Sequence, residues 1–333
     1  MTNAKVDRLH ASLAGEKPDL PPMMIWRHFP GDDLRSTDFA WALASFQRFW
    51  DCDVIRVAPH NLYAVLDYGL QAQWDGNAQG LYQPLKPLIT RSLNWTELRR
   101  LDAQRGMLGQ QIDAVQQLHS LLDDPTPIII NIPSPLTQAE QIAGRARLLR
   151  DMRTHPDRLK TGLNIITENI LRFMDALAPL GLSGIAYDIT MASHDILSSA
   201  EYADFGRPYD QKLLHALPAS WWLTLVHVHG AAPMLREVGD YPAQILCWQD
   251  RDAHIALDEG KSFFEGIVCG GIGNQHPMHD GMPGEIRQQV YDALDATFGR
   301  HILLSTAQPL LLTTPLSNIR ALGVALQERG ERQ

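Results

Sequence analysis

Apolar residues along this chain fall into short, uncharged runs that alternate with longer amphipathic stretches, the rhythm of strand followed by helix. Eight runs read as strands: 23–29 (MMIWRHF), 53–59 (DVIRVAP), 125–135 (PTPIIINIPSP), 182–189 (LSGIAYDI), 221–230 (WWLTLVHVHG), 243–250 (AQILCWQD), 266–273 (GIVCGGIG) and 301–307 (HILLSTA). Several are continuously apolar, as strands buried on both faces of a parallel sheet require. Between them a 3.6-residue period predicts helices. These run from Ser36 or Thr37 through Trp50, over 94–122, over 137–179 with a break near Pro156, over 199–217, 256–264 and 283–298, and from Ser317 or Asn318 to about Arg329.

Residues 1–21 are polar and read as a loosely held arm. Residues 22–333 read as one domain, with 71–90 an excursion or hairpin over the barrel mouth, turning at Asp75 and Gly76. Eight strand-then-helix units predict an α/β fold, an elaborated (β/α)8 TIM barrel. No G-x-G-x-x-G follows the first strand, which argues against an open dinucleotide-binding sheet.

Composition narrows the classes. The net charge is −9, and no block of basic residues is present, so no nucleic-acid surface is expected. The three cysteines, Cys52, Cys247 and Cys269, lie far apart with no C-x-x-C, so neither a disulfide framework nor a redox motif is predicted. Cys269 reads as a small core residue. No uncharged apolar run reaches about 18 residues, and the amino terminus lacks an apolar signal core. A cytoplasmic protein without a membrane span is expected.

In a parallel barrel the site gathers at the carboxyl ends of the strands. His227 and His229, two apart on one strand, face the same side. Imidazole titrates near neutrality and is the commonest metal ligand, so the pair suggests a metal site or an acid–base pair. Two imidazoles bonded to backbone or to a neighbouring carboxylate is the alternative. The other strand ends carry Arg27 and His28, the segment 60–67 with Tyr63 and Asp67, Tyr187 and Asp188, Gly271 to Asn274, and Gln308. The run CGGIGNQ offers either an anion site made of backbone amides or a tight strand-end turn.

Six segments occur in an order that resembles the uroporphyrinogen decarboxylase superfamily: IWRHFPGDD, DVIRVAPHNLYAVLDYG, ILSSAEYADFGRPYD, HVHG, GGI and ILLSTAQPLLLTTPLSNIRAL. The more specific pieces are E-Y-x-x-F-x-x-P-Y at Glu201 to Tyr209 and T-P-x-x-N at Thr314 to Asn318. The resemblance runs from about residue 22 to the end and implies the same barrel. The superfamily contains porphyrinogen decarboxylases and zinc-dependent cobalamin or coenzyme M methyltransferases. The chain departs from both branches. Arg27 matches the first arginine of the decarboxylase loop, but HFPGDD replaces the rest. The catalytic aspartate expected after the second strand falls at Pro59 or His60, and the nearest aspartate is Asp67. Of the methyltransferase zinc ligands, His227 matches the histidine, His229 stands where the first cysteine belongs, and Gln308 lies about where the second would.

The first expectation from the resemblance is methyl transfer involving a corrinoid or another small methyl donor. His227, His229 and Gln308 would be ligands of a zinc ion, Asp188 and Asp67 its support or the general base, and Arg27 the holder of a carboxylate. His28, Tyr63, Gly271 and Asn274 complete the expected substrate contacts. The second is decarboxylation of a tetrapyrrole or smaller carboxylated ring without any cofactor, with Asp67, Tyr187 or His229 protonating the carbanion-like carbon. The third is a tetrapyrrole-binding protein without catalysis. A corrinoid protein would be the partner in the first case, and a homodimer is implied by the decarboxylase branch.

Overall fold

A computed structural model describes residues 3–331. Among the described residues nine strands form, in chain order: β1 (Ile55–Val57), β2 (Ala72–Gln73), β3 (Gln83–Pro84), β4 (Ile128–Pro133), β5 (Gly184–Ile189), β6 (Leu225–Val228), β7 (Ile245–Cys247), β8 (Ile267–Gly271) and β9 (Ile302–Ser305). Seven of them make one curled, all-parallel sheet in the order β1-β4-β5-β6-β7-β8-β9. Helices between successive strands cover one face, as right-handed crossovers require.

Side chains alternate across this sheet with period two. Met24, Val54, Ile129, Ala186, Leu225, Ile245, Ile267 and Leu303 form a separate apolar cluster on the face away from the helices. Intervening residues such as Ile130, Ile185, Val226, Leu246 and Val268 join the larger cluster under the helices. One register row crosses the sheet through Pro133, Asp188, His227, Cys247, Cys269 and Leu303 as successive partners. Its last three residues belong to that apolar floor, whereas on β5 and β6 it carries the polar Asp188 and His227 past the floor.

The expected first strand is not regular. Its start is extended chain with one parallel bridge, Met23 to Leu304. The Met24 amide donates to Leu304 O at 2.9 Å, and the Asp53 amide to Met23 O at 2.9 Å. The segment therefore lies between the two edges of the sheet. Trp26 and His28 then leave the ladder to pack over its open end, which is why the aromatic run did not extend the strand.

The expected loose arm is instead a helix over Ala4–Leu13, with fully buried Leu9 set into the apolar floor. The polarity that suggested an arm is taken up in ion pairs: Lys5, buried on the same face as Leu9, pairs with Asp124, and Arg8 pairs with Asp19 and Asp53. Within 71–90, β2 and β3 pair antiparallel.

Four predicted helices are shorter or more broken than their periodicity suggested. One of them, 199–217, is two helices, Ser199–Phe205 and Arg207–Leu214, parted at Gly206. Over 94–122 the regular helix is only Gly106–Leu121, preceded by a 3-10 turn at Ser92–Glu97. The stretch 137–179 is three helices, Pro135–Ala143, Arg145–Thr154 and Pro156–Leu177, with a break at Gly144 (φ 74°) besides that at Pro156. Over 256–264 the helix is Leu257–Gly260. No helix among the described residues is long and apolar enough to cross a membrane.

Candidate metal centre and cleft

Inward alternation on β5 and β6 brings Asp188 and His227 together as register partners. His229 follows just beyond the strand, its amide donating to Ile189 O at 3.0 Å, and Gly230 leaves at φ 103°. The two imidazole centroids are 3.8 Å apart. Asp188 Oδ1 lies 3.1 Å from His227 Nδ1 and 3.2 Å from His229 Nε2. One donor atom from each of Asp188, His227 and His229 falls within 4.8 Å of the other two, a spacing able to hold a metal ion.

A fourth residue completes this group. Arg56, from the middle of β1, donates through Nη2 to Asp188 Oδ1 at 2.8 Å and through Nε to Asn131 Oδ1 at 2.7 Å. The same Nη2 is 3.2 Å from His227 Nδ1. Its guanidinium lies over the Trp26 ring, 3.8 Å from the centroid. Burial works to raise the Asp188 carboxyl, but the charge of Arg56 and the bonds from both imidazoles outweigh it and hold the group well below the usual carboxylate range. His227 is wholly buried, and its imidazole is pushed down to about 3 by that burial and by His229, so it is neutral.

Tautomer follows from donor counting. Arginine only donates and carboxylate only accepts, so His227 Nδ1 either accepts from Arg56 or donates to Asp188. In both cases His227 Nε2 is buried without a partner.

A cleft opens above the trio, lined by Trp26, His28, Asn131, Asp188, His229 and Gln308 among others. Tyr63 also lines it, with its hydroxyl donating to Asn131 O at 2.8 Å. His28 is nearly buried, its Nδ1 unpartnered, and its imidazole pushed down to about 4 chiefly by burial. Of the residues singled out from the sequence, the structure brings His28, Tyr63, Asp188, His227, His229 and Gln308 to this place.

The others lie elsewhere. Asp67 caps the helix Gly106–Leu121: its carboxylate accepts from the Met107 amide at 2.9 Å and the Leu108 amide at 3.1 Å. Tyr187 neighbours Asp188 but points to the opposite face, where its hydroxyl donates to buried Asp210 at 2.7 Å. Arg27 is not among the cleft residues; it lies over the Phe29 ring and bonds His28 O. Gly271 donates to Asp250 Oδ1, accepts from Arg251 Nε, and has φ 99°. A Cβ there would sit 2.7 Å from Ala293 Cβ, so the glycine serves helix packing and not an anion. Asn274 donates to Pro309 O at 3.0 Å, tying two loops.

Arg56, Asn131 and Trp26 were not singled out from the sequence. A charged residue inside the apolar run VIRVAP was the available signal for Arg56, since a buried charge needs a partner across the sheet.

A seven-stranded parallel α/β sheet whose carboxyl ends converge on two histidines and an aspartate defines the class. The chain belongs to the uroporphyrinogen decarboxylase (URO-D) family, whose model matches residues 83–329. It is 24% identical over 226 residues to a methylcobamide:CoM methyltransferase, MtaA, of Methanosarcina barkeri, and 20% identical over 224 residues to MtbA of Methanosarcina mazei. These matches cover 68% and 67% of this chain and 65% of each relative, so the aligned region is somewhat less than two thirds of their length. A solved methyltransferase from Methanosarcina mazei shares the fold over 99% of both chains, with a TM-score of 0.85 and 19% identity. A B12-independent methionine synthase from Shewanella matches over 94% of this chain and 97% of its own, with a TM-score of 0.60 and 13% identity.

Proposed function

We propose that this chain is a methyltransferase that moves a methyl group between a corrinoid and a small organic ligand, with a divalent metal held by Asp188, His227 and His229. The observation that carries the reading is the convergence of those three donors at the strand ends of a fold whose relatives act on methylcobamide. Two imidazole nitrogens and a carboxylate suit zinc or a neighbouring transition metal better than a hard alkaline-earth ion. The orphaned His227 Nε2 marks a buried nitrogen whose bonding is incomplete in the protein alone. The bonds of the 22–24 segment to Leu304 and Asp53 support reading the curled sheet as an elaborated (β/α)8 barrel.

Bound metal would supply Lewis acidity to the ligand atom that reaches it. The chain supplies the rest. Arg56 holds Asp188 ionised and Asn131 oriented. Neutral His28 and the Tyr63 ring shape the wall where the ligand rests. Gln308 lines the same cleft and would meet the ligand there. A corrinoid, free or carried by a partner protein, would meet the mouth of the cleft. Decarboxylation of a carboxylated ring has less support, because Arg27, its expected carboxylate anchor, does not face the cleft.

Metal content by elemental mass spectrometry tests this, on untagged protein prepared without chelators. About one equivalent of zinc or a similar metal is expected, lost in His227→Ala/His229→Ala. No metal in the wild type, even after zinc is supplied, overturns the metal part. The methyl-transfer part is tested by the visible spectrum of methylcobalamin incubated with protein and candidate acceptors.

A further inference from the structure

The cleft above Asp188 and His229 has a volume of about 250 Å3, the room of roughly eight waters at liquid density. A tetrapyrrole macrocycle does not fit inside it; a short chain or single small ring does. Its surface is mostly apolar, and its polar side chains are mainly neutral amides and hydroxyls: Asn61, Asn131, Thr137, Gln141, Thr190 and Gln308. No lysine or arginine lines it among the described residues. The carboxylate it contains, Asp188, is already matched by Arg56, which is fully buried beneath Trp26.

Three polar atoms of residues lining this cleft are buried without partners: Trp26 Nε1, His28 Nδ1 and Gln141 Oε1. The indole N–H is a donor, and the other two are acceptors. Gln141 uses its amide nitrogen on Asn61 O at 3.0 Å, leaving the oxygen bare. Burial keeps His28 neutral, and its ring bonds the Pro59 backbone, which leaves Nδ1 as a lone pair. A buried acceptor left unmet costs roughly 1–3 kcal/mol, which a ligand bringing the donor recovers.

We propose that the cleft selects a small uncharged ligand that presents hydrogen-bond donors to His28 and Gln141, and that it rejects anionic ligands. This rests on the methyl-transfer reading, in which that ligand is the methyl donor or acceptor opposite the corrinoid. An anion entering here gives up its hydration to apolar surface and neutral dipoles, with Trp26 Nε1 as an unpartnered buried donor and no lysine or arginine on the wall. A metal at the trio would attract an anionic group as well, so the selectivity concerns the part of the ligand that does not ligate it, which still meets this wall.

Isothermal titration of the purified protein, as isolated and with one added equivalent of zinc, tests the inference with two matched pairs. These are 2-mercaptoethanol against 2-mercaptoethanesulfonate, and phenol against benzoate. The neutral member of each pair is expected to bind at least about tenfold more tightly. His28→Phe, checked for folding by circular dichroism, should weaken the neutral members by about tenfold. Gln141→Lys adds a cation to the wall and should narrow or invert the preference; it carries the test should His28→Phe not fold. Anions binding as well as their neutral partners, or no binding by any of the four, overturns the inference. Methylcobalamin consumption separates the two readings. Consumption with the anionic members alone sinks the selectivity and leaves methyl transfer standing. Tight neutral binding with no consumption does the reverse.

Discussion

Arg56 Nη2 sits 2.8 Å from Asp188 Oδ1 and 3.2 Å from His227 Nδ1, so one guanidinium nitrogen touches two of the three candidate metal ligands. The Arg56 side chain has no solvent exposure, and that of Asp188 is 14% exposed. In this setting the cation does for Asp188 what a metal ion would also do, which is to compensate a desolvated carboxylate. Replacing it by an apolar group of similar length leaves that carboxylate unmatched. Arg56→Met is expected to lower unfolding free energy by about 3–5 kcal/mol in chelator-treated protein. Zinc should restore much of the loss, because an ion that binds only the folded state stabilises it by mass action. Thermal unfolding with and without zinc reads both effects. A variant as stable as the wild type without metal would show that the Arg56–Asp188 pair adds nothing.

Tyr187 is adjacent to Asp188 in sequence and absent from its chemistry. Its hydroxyl, with those of Tyr202 at 2.6 Å and Tyr241 at 3.2 Å, converges on the buried Asp210 carboxylate. Tyr187→Phe should therefore cost about 1–3 kcal/mol of stability, the penalty of removing a donor to a buried charged acceptor. Metal content and ligand affinity should stay at the wild-type level. Urea unfolding and elemental analysis on the same sample check the two halves. A lost metal site in a folded variant would place Tyr187 back in the site.

Asp67 makes a parallel case on a helix end. Its two oxygens receive the amides of Met107 and Leu108, near the start of a sixteen-residue helix. Asp67→Ala should cost about 0.5–2 kcal/mol, the range for a lost cap, and Asp67→Asn less, since one acceptor oxygen remains. Neither should change methylcobalamin turnover if turnover is found. A general base at this position would instead lose turnover in both variants while stability barely moved.

The inward pair and its carboxylate were legible because a strand has one simple rule: residues two apart share a face. That rule put His227 and His229 together, and the strand-end position of Asp188 drew attention to it. The same rule, applied one residue back, separates Tyr187 from Asp188, and proximity in sequence concealed this. What was illegible depends on contacts across long separations. Arg56 meets Asp188 over 132 positions of chain, and no local pattern announces that pairing. Helix ends were overrun for a related reason. Apolar periodicity continued through Leu98 and Leu101, which pack as irregular chain. The Ala4–Leu13 helix was missed because its buried stripe is narrow, with Leu9 the one large apolar residue fully covered.

Asp33 gives the pH dependence. Its carboxyl accepts from the Tyr82 hydroxyl at 2.9 Å and from the Gly31 amide at 3.2 Å, while Oδ2 is buried without a partner. Burial raises it from 3.8 to about 7, against the pull of those two donors. The sign follows from proton counting. Below pH 4 the group is neutral in both folded and unfolded chains and contributes nothing. Between about pH 4 and 7 the unfolded chain has released its proton and the folded chain keeps it, so stability falls as pH rises. The slope is at most about 1.4 kcal/mol per pH unit for one proton. Asp33→Asn, neutral at every pH, removes that slope, so the variant should gain on the wild type from pH 4 upward and level off above 7. Urea midpoints of both proteins at half-unit pH steps measure the difference directly. A constant difference across the range would mean that Asp33 ionises alike in the folded and unfolded chains, and that Tyr82 and Gly31 fully compensate its burial.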